Sequence, residues 1–306
     1  MENATVGITA YNEERGIRKS VESALAQKEV SEVIVVASGC TDRTVEIVKE
    51  MMKEDKRVKL IEEKERRGKP AAVNKILKSA KGKYVMLTDA DVIMEKGAAG
   101  KLLDGFDSEK VGIVAGNPQY FAPEGMFSWW GKFASECYSE ERMKKAKRKE
   151  FFDPSGYLYA VRKEVAVPIP EKVTSEEIFV SKAIWEKGYE ERYVPEAIVR
   201  VGYPQNIRDY VMQKTRTHYG HLQVIDREVK KEESNGSKII RVFRKVMRLR
   251  SAFPRYFRVA EKMIRSPKDY CYFLLYVLTE SVVWSTAYLK YYSGLKEEWK
   301  QVRSTK

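Results

Sequence analysis

Residues 84–92, YVMLTDADV, constrain the chain most. Four apolar residues, Tyr84 to Leu87, stop abruptly at Thr88-Asp89-Ala90-Asp91. A short unbroken apolar run ending in polar residues suits a strand buried on both faces of a parallel sheet. Its C-terminal end is where open α/β sheets bind ligands. With one residue between them, Asp89 and Asp91 share a side of an extended chain. Two carboxylates that close repel unless a cation or donor lies between them. A hard divalent ion, Mg2+ or Mn2+, is the natural partner, with diphosphate oxygens completing its ligands. A plain strand-end turn would use the same residues, so the rest of the chain has to decide.

The segments before it alternate. Thr5–Ala10 reads as a strand, Gly16–Gln27 as an amphipathic helix, Val33–Val36 as a strand and Thr44–Met52 as a helix. Val58–Ile61 is a third strand, and Ala71–Ala80 a helix opened by Gly68-Lys69-Pro70. This βαβαβαβ order predicts a mostly parallel sheet with helices on both faces. Its ligand-facing loops bring together Asn12 and Glu13, Asp42, Lys69 and Asn74, and the acidic pair. A lysine and a helix N-terminus beside two carboxylates make a sensible diphosphate–metal site. No GxGxxG follows the first strand and no GxxxxGK[ST] occurs, so the dinucleotide and P-loop readings lose their main support.

In order, GITAYNEE, VIVVASGCTDRT, RRGKPAAVN and YVMLTDADV resemble the nucleotide-sugar-binding half of family 2 glycosyltransferases, which have the GT-A fold. The resemblance implies that Ala10, Tyr11, Glu13 and Asp42 contact base and ribose. It further implies that Lys69 and Asp89 contact the donor and that Asp91 with Asp89 holds Mg2+ or Mn2+. Many relatives carry two aspartates where this chain has Ala37-Ser38, and one of those often reads the base, so the nucleobase is left open.

The second half carries fewer marks. Val111–Gly116 reads as a strand followed by an irregular Asn117-Pro118, and Met126–Lys149 as a helix that starts aromatic and ends basic. Tyr157–Arg162 is an aromatic strand after Phe152-Asp153-Pro154-Ser155-Gly156. In VTSEEIFVS, Thr174 or Ser175 can cap a helix beginning near Ile178, with glutamates suited to its first turn. The same stretch resembles the family's VTED motif with one inserted serine and Glu for Asp. That makes Glu177 the general base and Glu176 its neighbour. Gln213-Lys214-Thr215-Arg216-Thr217 resembles the QxxRW motif with Thr217 in place of tryptophan. Gln213 and Arg216 share a helix face, and the resemblance assigns Arg216 to the leaving diphosphate. The missing tryptophan argues against a processive polymerase. His218 and His221, three apart, read as polar residues of a helix surface, with a metal or phosphate role as the alternative.

Residues 238–265 alternate apolar and basic side chains, the pattern of a membrane-surface helix or of a helix packed on the catalytic domain. Residues 270–289 are nearly long enough to span a bilayer. Glu280 at their centre favours instead a helix half-buried in protein at a membrane surface, with a spanning helix as the alternative. The net charge of +13 implies anionic partners. Cys40, Cys137 and Cys271, widely spaced and odd in number, suggest a reducing compartment, and the N-terminus has no secretory pattern. A cytoplasmic enzyme, peripheral at the inner membrane face, is therefore expected.

The organisation expected is a catalytic domain over 1–230, with a nucleotide-sugar half (1–100) and an acceptor half (101–230), then C-terminal helices over 231–306. The function expected is metal-dependent, inverting, non-processive sugar transfer to a hydroxyl or phosphate of a lipid-linked or polysaccharide acceptor. Nucleotidyl transfer to a sugar phosphate would need a glycine-rich phosphate loop near the N-terminus, which is absent. Nucleic-acid binding would need aromatics interleaved with exposed basic residues. Here the basic residues concentrate after residue 140, outside the motif-bearing half, so nucleic acid is not expected as a partner.

Overall fold

A computed structural model describes residues 4–232 and 254–294. The chain forms two units, Met1–Tyr120 with Ser139–Gly202, and Phe121–Tyr138 with Tyr203–Thr305.

The first unit is an eight-stranded sheet with helices on both faces. Its elements are β1 (Ala4–Ala10), α1 (Ile17–Leu25), β2 (Val30–Ser38), α2 (Thr44–Glu54), β3 (Val58–Glu63), α3 (Lys69–Ser79), β4 (Tyr84–Asp89), β5 (Val92–Met94) and α4 (Ala98–Asp104). There follow β6 (Val111–Phe121), α5 (Met126–Lys147, shared with the second unit), β7 (Tyr159–Arg162), α6 (Glu176–Glu186) and β8 (Glu190–Gly202). Strand order is β3-β2-β1-β4-β7-β6-β8-β5. The predicted parallel block is β3-β2-β1-β4. Beyond it β4–β7, β6–β7 and β5–β8 pair antiparallel.

Both faces of the central strands are buried, which is why β2 and β4 read as unbroken apolar runs rather than alternating ones. Val33 and Val35 enter a core with Ile17, Val21 and Val48, from α1 and α2. Their neighbours Ile34 and Val36 enter a second core with Val73, Ile76, Val180 and Ile184, from α3 and α6. The order 3-2-1-4 reverses direction between β1 and β4, the crevice where such sheets bind ligands.

Two local expectations are corrected. Asn117 and Pro118 lie inside β6, which runs straight through them. Pro118 has no N–H for the ladder, and the Asn117 side-chain amide instead donates to the carbonyl of Pro195, a proline of β8 (2.9 Å). Helix α6 begins at Glu176, so both glutamates form its first turn, and Ser175 at its N-cap makes no side-chain capping bond.

In the second unit α7 (Ile207–Glu232) packs on α9 (Pro267–Tyr292), with α8 over residues 254–263. Trp130 and Phe133 of α5 are buried against Tyr210 and Tyr276, and the Trp130 indole donates to the Tyr272 carbonyl (2.8 Å). His218 is no surface histidine. It is buried, stacked on Trp284 with ring centroids 3.9 Å apart, and its Nε2 lies 3.0 Å from Glu280 Oε2. The Tyr210 hydroxyl donates to the other carboxylate oxygen. Glu280 thus sits mid-helix in an apolar stretch because α7 supplies its partners. Burial pushes the Glu280 carboxyl up, but His218, Tyr210 and Lys214 bring it below its ordinary value. Burial lowers the Lys214 ammonium to about 8, with Glu280 opposing. Among the described residues no helix is long and apolar enough to cross a membrane, so the spanning alternative for 270–289 is set aside. Most of the basic 238–265 stretch lies outside the described residues.

Candidate active site

The site forms where β1 and β4 end side by side. Thr9 pairs with Asp89 in the parallel ladder, and its hydroxyl donates to Asp89 Oδ1 (3.0 Å). The Lys69 ammonium contacts the same oxygen at 2.8 Å. That ammonium also lies 3.0 Å from Glu176 Oε1 and donates to the Gly156 carbonyl at 3.4 Å. Lys69 is therefore a bridge. It joins the tip of β4, the first turn of α6 and the loop before β7.

Local backbone explains its position. Gly68 at φ +90° supplies a conformation other residues rarely adopt, and Pro70 fixes the first helical turn. Lys69 so becomes the first residue of α3, at the end of the sheet where β4 terminates. Asn74, grouped with it in the sequence, faces elsewhere. Its amide clips the Ile169 backbone, donating to the carbonyl and accepting from the N–H, both at 2.8 Å.

Glu177 adjoins the bridge. A methyl group added at Gly156 would lie 3.3 Å from the Glu177 carboxyl carbon and 3.5 Å from the Lys69 nitrogen. Gly156 therefore gives room to both. Burial and then the Glu176 carboxylate push Glu177 well above the ordinary carboxyl range, against the pull of Lys69. Burial works to lower the Lys69 ammonium, but Asp89, Glu176 and Glu177 hold it well above its ordinary value. Tyr159 is buried beside this cluster, and its hydroxyl has no hydrogen-bond partner among the described residues. Burial, then Glu176, raises it well above 10.

Asp91 lies two residues past the end of β4, against Gly16, whose missing side chain leaves room for it: a methyl there would lie 3.3 Å from the Asp91 Cα. The backbone carbonyl of Asp89 accepts from the Ser20 hydroxyl (3.1 Å). Asp89 and Asp91 are hard oxygen donors, the ligand type that Mg2+ and Mn2+ take. Among the described residues no group of three or more His, Cys, Asp or Glu is arranged to hold a metal. An ion on this pair would draw further ligands from diphosphate and water, as Mg2+ does.

The loops after β1 and β2 form a rim. Ala10 is buried at the end of β1, and its carbonyl accepts from the Cys40 thiol at 3.7 Å. Asn12, at φ +53°, accepts from the Thr41 N–H (2.8 Å). Asp42 accepts from the N–H groups of Glu14 and Thr44, each at 3.0 Å, and from the Thr44 hydroxyl. Thr44 in turn accepts from the Glu13 N–H at 2.7 Å. Asp42 and Glu13 thus stitch the two loops together. The Arg66 guanidinium lies 4.1 Å over the Tyr11 ring. Gly39 lets the 66–67 backbone approach, since a methyl there would meet the Arg66 nitrogen at 2.6 Å.

Ala10, Tyr11, Glu13, Asp42, Lys69, Asp89, Asp91, Glu176 and Glu177 all belong to the first unit. Gln213 and Arg216 lie on α7 in the second, where the Gln213 carbonyl accepts from Thr217 (3.2 Å). Sequence reasoning missed Thr9, Gly16, Arg66, Gly156 and Tyr159. Thr9 and Tyr159 carry no sequence mark because strand pairing alone brings them here. The glycines are marked by type but not by what they admit.

Three comparisons bear on identity. Poly-beta-1,6-N-acetyl-D-glucosamine synthase of Staphylococcus aureus (strain COL) is 28% identical over 238 residues, 74% of this chain and 57% of the relative. The synthase of that name from Staphylococcus epidermidis is 26% identical over 230 residues, 72% of this chain and 55% of the relative. The chain thus spans little more than half the length of these curated relatives. Among solved structures, the mannosyltransferase PcManGT from Pyrobaculum calidifontis, in complex with GDP-Man and Mn2+, superposes with a TM-score of 0.68 at 19% identity, covering 96% of this chain and 88% of that one. GalNAc-T7 with UDP, GalNAc and Mn2+ superposes at 0.53 and 15% identity, over 66% of this chain and 43% of that one. These likenesses establish a GT-A-like fold. The family model described as Glycosyl transferase family 2 matches residues 5–166, which include the β1 and β2 loops, Lys69, the acidic pair and Gly156. That is more than half of the chain, and the chain belongs to glycosyl transferase family 2.

Proposed function

We propose that this chain transfers a sugar, with inversion and one residue at a time, from a nucleoside-diphosphate sugar to an acceptor hydroxyl. The observation that carries the reading is the Lys69 bridge: one ammonium at 2.8 Å from Asp89 and 3.0 Å from Glu176, with Glu177 beside it. Family membership favours sugar transfer over nucleotidyl transfer or nucleic-acid binding.

Asp89 and Asp91 would hold Mg2+ or Mn2+, which when bound supplies positive charge to the donor diphosphate. The chain's own residues do the rest. The rim formed by Ala10, Tyr11, Glu13 and Asp42 receives base and ribose. Lys69, anchored by Glu176, presents a fixed cation next to the acidic pair. Preorganised charge of this kind stabilises a leaving diphosphate without reorganising as the bond breaks. Glu177 takes the proton of the acceptor hydroxyl as that oxygen attacks the anomeric carbon. Burial raises the affinity of Glu177 for a proton, which strengthens it as a base. Attack on the face opposite the departing diphosphate gives inversion. Gln213 and Arg216 are assigned to the diphosphate by their motif alone. Thr217, where polymerising relatives have tryptophan, supports single transfers. The acceptor expected is lipid-linked or polysaccharide.

Thermal stabilisation by UDP-, GDP-, ADP- and dTDP-sugars, with and without Mn2+ or Mg2+, tests the donor site, because a ligand selective for the folded state raises its stability. A rise with one nucleotide, dependent on metal and lost in Asp91→Ala, is the expected result. No rise with any nucleotide in the presence of metal would refute it. Anomeric configuration of the product, read by proton NMR, tests inversion.

A further inference from the structure

Helix α9 is apolar on two opposite sides. One side carries Phe273, Tyr276, Val283 and Ala287, buried, with Glu280 in the same row. The other carries Leu274, Leu278, Val282 and Leu289, spaced four, four and seven apart and therefore on one face. Leu278 is 64%, Val282 57% and Leu289 71% exposed. At 1.5 Å per residue the row from Leu274 to Leu289 is about 22 Å long. Phe257 of α8, 62% exposed, meets the buried side of α9 through Phe273 (ring centroids 5.8 Å). An exposed apolar strip of this size marks an interaction surface.

Charge decides the partner. Arg258, Lys262, Arg265 and Lys268 are exposed around the N-terminal end of the strip, against one exposed acid, Glu261. Asp269 is held by the Arg265 N–H (3.0 Å) and the Ser266 hydroxyl (2.8 Å). The far end carries Lys290. A second copy docked in either direction would set cations beside cations. An anionic lipid surface takes all of them and receives the apolar strip between headgroups. Spanning is not the mode, since Glu280 and its neighbours are used in packing on α7.

We propose that the outer face of α9, with the basic cluster of residues 258–268, is a docking surface for anionic membranes on which α9 lies in the plane of the headgroups. Membrane binding does not require sugar transfer, so each can fail alone.

Co-sedimentation of the full chain with sucrose-loaded vesicles tests this. The chain is expected to pellet with phosphatidylglycerol–phosphatidylcholine vesicles and to bind at least about tenfold more weakly to pure phosphatidylcholine or at about 0.5 M salt. Leu278→Glu with Val282→Glu should cut binding by at least about tenfold while leaving the far-ultraviolet spectrum unchanged, because both side chains already face solvent. If that pair unfolds the chain, Leu278→Ser with Val282→Ser serves, with a smaller loss expected. Failure of the wild type to pellet with anionic vesicles overturns the proposal, as does pelleting that survives both pairs of substitutions. A lipid-free dimer in light scattering that the same substitutions dissociate would make the strip a self-interface, and would also overturn it.

Discussion

Replacing Lys69 by methionine removes the one cation shared by Asp89 and Glu176 while keeping the apolar stem. A unit charge pair near 3 Å is worth about 5 kcal/mol at an effective dielectric of about 20, before desolvation. The Lys69 side chain is 31% exposed and that of Asp89 25%, so solvent screens that contact and its share is small. Glu176 differs, with only 2% of its side chain exposed. Breaking a buried pair by removing one partner costs about 3–5 kcal/mol, and the partial exposure of Lys69 brings the expectation to about 2–3. Glu176→Gln in the Lys69→Met background should recover about 1–2 kcal/mol, because the stranded charge is gone. Urea unfolding of the nucleotide-free chain reads both as midpoint shifts at constant slope. Loss of the ammonium also removes what holds Glu177 down, so the acid limb of the kcat/KM profile moves to higher pH. A cost below about 0.5 kcal/mol, or simple additivity of the two substitutions, would refute the claim that Lys69 and Glu176 act as one unit.

Two further outcomes follow from buried carboxylates elsewhere. Glu191 is buried between the Phe152 N–H (3.0 Å) and the Ser181 hydroxyl, and burial pushes it from 4.5 up to about 8. A carboxyl raised in the folded state binds its proton more tightly there than in the unfolded chain. Stability therefore falls as pH rises from about 4.5 to about 8, by at most about 5 kcal/mol. Glu191→Gln should flatten stability curves across that window, as measured by urea unfolding at a series of pH values. Glu280 is lowered, so its contribution is present above the ordinary carboxyl range and is lost as pH falls through it. Glu280→Ala should cost about 3 kcal/mol near neutral pH by leaving His218 and Tyr210 without their acceptor, and less at acid pH, as followed by near-ultraviolet circular dichroism.

Much of this molecule is written locally. The β3-β2-β1-β4 block was legible because strands buried on both faces must be apolar throughout, and because the connecting helices bury one side each. Asp89, Asp91 and Lys69 were legible for a related reason. They occupy strand ends and a helix start, positions that turn chemistry and topology determine within a few residues. Even Glu176 and Glu177 carried a mark, as acids before an apolar helix.

What the sequence could not disclose depends on pairing between distant segments. That Lys69 reaches Glu176, more than a hundred residues away, requires α3 and α6 to share one face of the sheet. That Thr9 steadies Asp89 requires the register of β1 on β4. Asn117-Pro118 reads as a break because proline lacks a donor, yet the strand continues because an asparagine side chain bonds to the neighbouring strand. His218 reads as a surface residue and Glu280 as an obstacle to burial. Each bonds to the other, and a partner 62 residues away leaves no periodic trace. Periodicity reports which side of a helix avoids water. Only tertiary structure decides which of two apolar sides meets protein, and on α9 it leaves the other side exposed.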